Sequence, residues 1–217
     1  LSHAVLVGGT GFYLQALIKG MYDVPDVSDI AKAQTLSDMT TRGALWCLNE
    51  IVERDPEYAK KLHPNDTYRI TRALEIMRSG SKTITEIQTE FKKQKFAYPL
   101  QQIGLRRTKP RLLESVTKRT KGMIQAGLID EADRIAKEFG SKIRPLQSVG
   151  YREAMQYLEG LITDDGLKKM IIQNTMALAK RQSTWFKRDP DIQWFDPDEK
   201  DFTFNDLSLS STPWQRA

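Results

Sequence analysis

The chain has 217 residues, 40% hydrophobic and 28% charged, with a formal net charge of +5 and a single cysteine, Cys47. Such a chain has room for more than one domain; it excludes an intrachain disulfide and offers no run of about 18 apolar residues to cross a membrane. The positive balance favours a polyanionic partner in a reducing, cytoplasmic setting, and the two histidines, His3 and His63, stand apart without cysteine partners, which argues against structural zinc.

The chain begins at Leu1 and runs into AVLVGG. A short aliphatic run entering a glycine turn reads as a buried central strand of a parallel sheet. Only two other segments have strand character, Gln102 to Arg106 (QIGLR) and Ile192 to Phe195 (IQWF). Three strands make a poor doubly wound sheet, so the chain is expected to be the C-terminal part of a longer protein.

After the strand, GGTGFYLQALIKG predicts a turn and a helix ending at Gly20. Gly8, Gly9, Thr10 and Gly11 would let backbone amides approach an anion at a helix N-terminus. The run is no P-loop, because GxxxxGK[ST] needs a Lys that is absent here. A tight turn capped by Thr10 would have the same composition.

MYDVPDVSD reads as a linker, and from about Ile30 to Lys95 the pattern is helical throughout. Helices without strands predict a separate insertion, residues 26–95, between two parts of a core, residues 1–25 and 96–217. Within it, HPNDTYRITRALE places Asn65 or Asp66 at a helix cap and Ile70, Leu74 and Met77 on the buried face. Arg69 and Arg72 fall on the opposite side with Tyr68 near the N-terminus, which suits a nucleic-acid backbone and an unstacked base. An Arg72–Glu75 ion pair is the plain alternative.

QIGLR resumes the sheet, and a long helix is predicted from Pro110 to Gly140. Leu112, Val116 and Met123 share one stripe, and Arg119 falls inside it while Lys118 and Lys121 point to solvent. An inward Arg requires an anion or a carboxylate, unless the side chain snorkels out. VGYREAMQYLEG predicts another helix, and Asp164 to Lys187 the last long one. That helix ends in KRQSTWFKR, with four cations around a Trp-Phe pair. Ile171, Leu178 and Trp185 share a face straddled by Arg181 and Gln182, which therefore face protein or a groove rather than merely favouring the helix dipole. The spacing favours Trp185 as core over a stacking platform.

Taken together, VGGTGFYLQALIKG, HPNDTYRITRALEI, RLLESVTKRTKGMIQAGLIDEA, LQSVGYREAMQYLEG and LAKRQSTWFKRDP stand in the order found in tRNA dimethylallyltransferases (tRNA isopentenyltransferases), and the chain resembles that family from about Val5 to Pro197. The resemblance implies an α/β fold: a P-loop-kinase-like parallel-sheet core, incomplete here, with an all-helical insertion. It implies transfer of a dimethylallyl group from dimethylallyl diphosphate to N6 of the adenosine 3′ to the anticodon, on a base flipped out of the stack. The partners are then a tRNA anticodon stem-loop and the prenyl diphosphate, with no membrane and a monomeric protein.

By resemblance, Thr10 and Arg119 are catalytic. Thr10 would lie beside the adenosine and diphosphate, and Arg119 would stabilise the leaving diphosphate. Gly8, Gly9, Thr10 and Arg119 form the diphosphate side. The tRNA side takes Lys32; Tyr68, Arg69, Ile70, Thr71 and Arg72; Gln147, Ser148, Val149, Gly150, Tyr151 and Arg152; and Lys180, Arg181, Gln182, Ser183, Thr184, Trp185, Phe186 and Lys187. Gln147 stands where some relatives carry Arg. The family's Mg²⁺ is implied with ligands outside this chain, because its GxxxxGK[ST] and Asp-Ser motifs precede the GGT segment. Residues 1–217 alone are accordingly expected to be inactive. Two other readings stay open at this point, an isopentenyltransferase of free adenine nucleotides and a non-catalytic RNA-binding module.

Overall fold

The structure, a computed structural model, describes residues 4–80, 82–91 and 98–198. His3, the end of the helical stretch towards Lys95 and the chain after Asp198 lie outside the described residues. The chain divides into two compact units, one of residues 1–11 and 98–217, the other of residues 12–97. Helix α1 (Gly11–Lys19) begins at that division.

The helical unit holds α2 (Asp29–Thr41), α3 (Gly43–Arg54), α4 (Pro56–Ala59), α5 (Thr67–Ser79) and α6 (Ile84–Glu90). Its core gathers Cys47, Leu48 and Ile51 of α3, Ile70, Leu74 and Met77 of α5, and Ile84 and Ile87 of α6. The i, i+4, i+7 spacing on α5 puts Ile70, Leu74 and Met77 on one stripe, and each is 0% exposed. Two polar groups lock the helices from within. Arg78 of α5 donates to Thr35 (3.2 Å) and Asp38 (2.9 Å) of α2 and to Glu50 of α3. Asp55, 3% exposed, caps α4 through the Tyr58 N–H at 3.0 Å and accepts the Thr85 N–H at 2.8 Å and hydroxyl at 2.6 Å.

The second unit contains β1 (Gln102–Leu105) and β2 (Ile192–Phe195), paired in parallel with Gln102 opposite Ile192. Around them stand α7 (Lys109–Gln125), α8 (Leu128–Phe139), a 3₁₀ turn (Arg144–Gln147), α9 (Tyr151–Leu158) and α10 (Asp164–Phe186). The core here is Leu128 and Ala132 of α8, Ala154 of α9, and Leu167 and Ile171 of α10.

Four sequence expectations are corrected. Residues 4–7 form no strand, and Val5, Leu6 and Val7 are 69%, 64% and 94% exposed. The composition is that of a strand, but no ladder partner lies beside it among the described residues. Within the stretch expected to be helical from about Ile30 to Lys95, the segment AQTLSDMTTRGALWCLNEIVERD is not one helix but breaks at Gly43 (φ 83°), which separates α2 from α3. The helix expected from Pro110 to Gly140 likewise breaks at Gly127 (φ 95°), a left-handed position that a residue with a Cβ disfavours.

The fourth correction concerns Arg119, which is exposed. Thr120, 2% exposed, takes the buried position instead and gives its hydroxyl to the Val116 carbonyl at 2.9 Å. Thr120 lies about 40° from Val116 on one side and Arg119 about 60° on the other. The buried stripe is therefore centred on the Thr120 side of Val116, away from the arginine.

Candidate functional site

The glycine turn and the basic end of α10 meet. A Cβ built on Gly9 would lie 2.3 Å from Nε2 of Gln182, and one on Gly11 would lie 2.1 Å from both Cδ1 and Nε1 of Trp185. A side chain at Gly11 would collide with the indole, and one at Gly9 would displace the Gln182 amide, so the two glycines let the turn lie this close to the last two turns of the helix. Thr10, between them, is exposed. The turn thus presents a hydroxyl and backbone beside an amide and an indole edge.

Along that end of α10, Lys180, Arg181, Thr184 and Lys187 are exposed, whereas Gln182, Ser183 and Phe186 are half-buried. Trp185 is 39% exposed, so it is not the core residue the spacing suggested; it packs on Gly11 and keeps part of its ring in solvent. Leu178 is also 39% exposed, and of the stripe Ile171–Leu178–Trp185 only Ile171, at 1%, is buried. The helix leaves the core after its first two turns, and its C-terminal half is surface.

A second part of the site forms at the start of α9. Gln147 and Ser148 are exposed, Val149, Tyr151 and Arg152 half-buried and Gly150 buried. Gly150 packs towards Met123 of α7, whose Cε would stand 3.5 Å from an added Cβ. This brings the 147–152 stretch beside the α7 turn that follows Arg119. Arg119 itself makes no ion pair with a described residue, so its guanidinium is available to a ligand.

Arg152 is held instead by its neighbour. Glu153, 0% exposed, accepts Nε of Arg152 at 3.1 Å and Nη2 at 2.7 Å, the Gly150 N–H at 2.6 Å and Nδ2 of Asn174 at 2.8 Å. Burial would raise this carboxyl, but the Gly150 N–H and the Arg152 guanidinium outweigh it and hold the pKa below the ordinary glutamate value. Sequence reasoning missed Glu153 and Asn174. The signal for Glu153 was present in VGYRE, where an acid at the third helical position reaches back to cap the preceding N–H; Asn174 carries no such sign.

In the helical unit, Tyr68 is 79% exposed and Arg69 and Arg72 are exposed with it, while Ile70 is buried and Thr71 half-buried. Asp66 supplies the cap, accepting the Arg69 N–H at 3.2 Å. Both arginines already have acidic partners, Arg69 with Asp66 at 3.4 Å and Arg72 with Glu75 at 3.2 Å. Lys32 is paired with Asp29 at 2.8 Å. Exposed pairs of this kind are weak and can give way to a phosphate.

Comparison with known proteins gives one consistent result. The profile of the family described as IPP transferase matches residues 2–189. A tRNA dimethylallyltransferase of Bdellovibrio bacteriovorus is 45% identical over 194 residues, covering 88% of this chain and 63% of the relative. One from Desulfitobacterium hafniense is 36% identical over 198 residues, covering 88% and 62%. The crystal structure of a full-length tRNA isopentenylpyrophosphate transferase from Bacillus halodurans matches with a TM-score of 0.51 at 28% identity, over 86% of this chain and 57% of that one. A eukaryotic dimethylallyltransferase, described as acting on tRNA, matches with a TM-score of 0.67 at 25% identity, over 87% and 50%. The chain shares their P-loop-like α/β fold and spans 63% and 62% of the two curated relatives' lengths.

Proposed function

The chain belongs to the IPP transferase family, and on that premise we propose that it acts in tRNA modification. The reaction is transfer of a dimethylallyl group from dimethylallyl diphosphate to N6 of the adenosine 3′ to a tRNA anticodon, giving N6-isopentenyladenosine. The observation that carries this reading is the seating of the Gly9–Thr10–Gly11 turn on Gln182 and Trp185. It joins a glycine turn suited to an anion with a basic, partly aromatic helix end suited to RNA. The names of the relatives supply the nucleic acid and the group transferred.

In this reaction the N6–C1 bond forms as the C1–O bond to diphosphate breaks. The electron pair leaves with the diphosphate, and N6 gives up its proton to a general base, a role that the resemblance gives to the Asp of the family's Asp-Ser motif. Negative charge therefore grows on the leaving group, where cations and N–H donors act most strongly. Arg119, exposed and without an acidic partner among the described residues, is suited to that charge. The Thr10 hydroxyl is suited to orient the base or the diphosphate, and the Gln182 amide can meet a base edge or phosphate. Lys180, Arg181, Lys187 and the Tyr68–Arg72 stretch are assigned to the RNA.

Among the described residues, no three His, Cys, Asp or Glu side chains come together in a way that could hold a metal ion. The Mg²⁺ that the family implies would therefore rest on the substrate's phosphates and on ligands other than a cluster of these described side chains. No described helix is long and apolar enough to cross a membrane, and a cytoplasmic monomer forms part of the same proposal.

The test is direct. The protein expressed from its complete reading frame is incubated with dimethylallyl diphosphate and an anticodon stem-loop, and the RNA is weighed. A gain of one dimethylallyl unit on the adenosine is expected. A gain on free adenine nucleotides and none on RNA would replace this reading with the nucleotide enzyme.

A further inference from the structure

Glu153 is a fully buried carboxylate to which the reaction above gives no role. Its placement is expensive, because a buried charge is rarely worth more to stability than an apolar group of the same shape. Four N–H groups meet it: Arg152 Nε and Nη2 and Asn174 Nδ2 on Oε1, and the Gly150 amide on Oε2. The carboxylate therefore ties three things together: the turn before α9, the Arg152 guanidinium, and the middle of α10, the helix that carries Gln182 and Trp185 at its end.

The guanidinium is fixed on one side only. Nε and Nη2 face Glu153, whereas Nη1 has no partner among the described residues, and the Arg152 side chain is 42% exposed. A free arginine samples many rotamers; this one has its fork held so that the remaining edge points away from the carboxylate. The surrounding segment, SKIRPLQSVGYR, has three cations and no acid, and Lys142 and Arg144 in it are exposed.

We infer that Glu153 is a positioning residue, whose buried carboxylate aims Arg152 at a phosphate of the substrate. The inference rests on the tRNA reading for its ligand, and the phosphate is either one of the RNA backbone or that of the prenyl diphosphate. A structural role alone would require the carboxylate to hold the Gly150 turn; it would not require the charge to face an arginine that is half in solvent.

The experiment is a double-mutant cycle in the full-length protein with Glu153→Gln and Arg152→Ala. Tm reports folding, anticodon stem-loop binding is measured across a salt series, and KM is measured for dimethylallyl diphosphate. If the phosphate is the RNA's, each single variant should weaken binding roughly tenfold. Each should also flatten the slope of log K against log salt by about 0.7 to 0.9, and the double variant should be no worse than Arg152→Ala. If it is the donor's, KM for dimethylallyl diphosphate rises by a similar factor and the RNA salt slope holds. Either pattern supports the inference.

A Glu153→Gln protein with lowered Tm but unchanged salt slope and KM overturns it, and so does simple additivity in the double variant. Should Glu153→Gln fail to fold, Glu153→Asp keeps the charge but shortens its reach, and the same losses are expected. Stem-loop binding and its salt slope are read without turnover. A protein that binds the stem-loop but never prenylates it would therefore refute the proposed function, while the binding and salt-slope losses of the two variants would still decide whether Glu153 aims Arg152 at the RNA.

Discussion

A methyl group at Gly9 would lie 2.3 Å from the amide nitrogen of Gln182, while one at Gly11 would meet the Trp185 ring at 2.1 Å. The two clashes differ in kind. Gln182 offers the far end of a flexible side chain, which can swing aside. The indole is rigid and packed, so either it or the backbone must move.

Gly9→Ala is therefore expected to cost less than about 1 kcal/mol of stability and yet to lower prenyl transfer roughly tenfold, by displacing one positioned hydrogen-bonding group. Gly11→Ala is expected to cost about 2 kcal/mol through overpacking and to change tryptophan fluorescence. Urea unfolding and emission spectra of the two variants check both. Equal stability losses would mean that the turn does not lie against α10 as described.

Arg119→Ala should leave stability within about 0.5 kcal/mol, since the side chain is exposed and touches no acid among the described residues. Its effect belongs on kcat, a fall of roughly 100- to 1000-fold, because it removes an interaction made as charge develops on the leaving diphosphate. RNA affinity should change little. Lost RNA affinity with kcat retained would move Arg119 to the RNA side of the site.

Arg78→Met should be costly although it touches no proposed ligand. The guanidinium binds Thr35, Asp38 and Glu50, and its side chain is 12% exposed. Removing it leaves Asp38 and Glu50 with only their longer pairs to Arg42 at 3.5 Å and Arg54 at 3.6 Å, a loss of about 2 kcal/mol, below that of a fully uncompensated buried charge. Adding Glu50→Gln should recover part of it, which a thermal-melt cycle would show. Equal melting of wild type and Arg78→Met would dismiss the network as decoration.

Asp55 gives a pH dependence. Burial pushes its carboxyl up, but the Thr85 hydroxyl and amide and the Tyr58 amide pull harder, and the net pKa lies below the ordinary 3.8. A group with a lowered folded pKa adds stability above its unfolded value and loses it as pH falls through the folded one. The contribution should be complete at pH 5 and above and fade below about pH 4. Asp55→Asn should lower stability at neutral pH and flatten the acid limb of the stability curve. An unchanged acid limb would mean that other carboxylates set it.

The sequence was informative wherever one periodicity decided the outcome. Ile70, Leu74 and Met77 were legible as a buried face because nothing polar interrupts their spacing. Arg119 was misplaced because Thr120, a polar residue that satisfies its own hydroxyl on the preceding turn, belongs to the buried face and shifts its centre. The helix ends at Gly43 and Gly127 were hidden, since a glycine inside a helical pattern is tolerated as often as it breaks one. Contacts distant in sequence, such as Gly9 on Gln182 or Asn174 on Glu153, have no local signature. VLVGG had the composition of a buried strand, but a strand exists only with a neighbour to pair with.

Helix α10 is anchored at one end and used at the other. Leu167 and Ile171 fix it in the core, while Gln182 and Trp185 carry the proposed chemistry. From Ile171 to Trp185 the axis runs about 21 Å, long enough to act as a lever. A tilt of about 5° at the anchored end would sweep the far end through about 2 Å, and misplacement by about 1 Å can already cost a hundredfold in rate. A methyl group lost beneath Ile171 would thus be felt as a change in catalysis, far from any residue that touches the substrate.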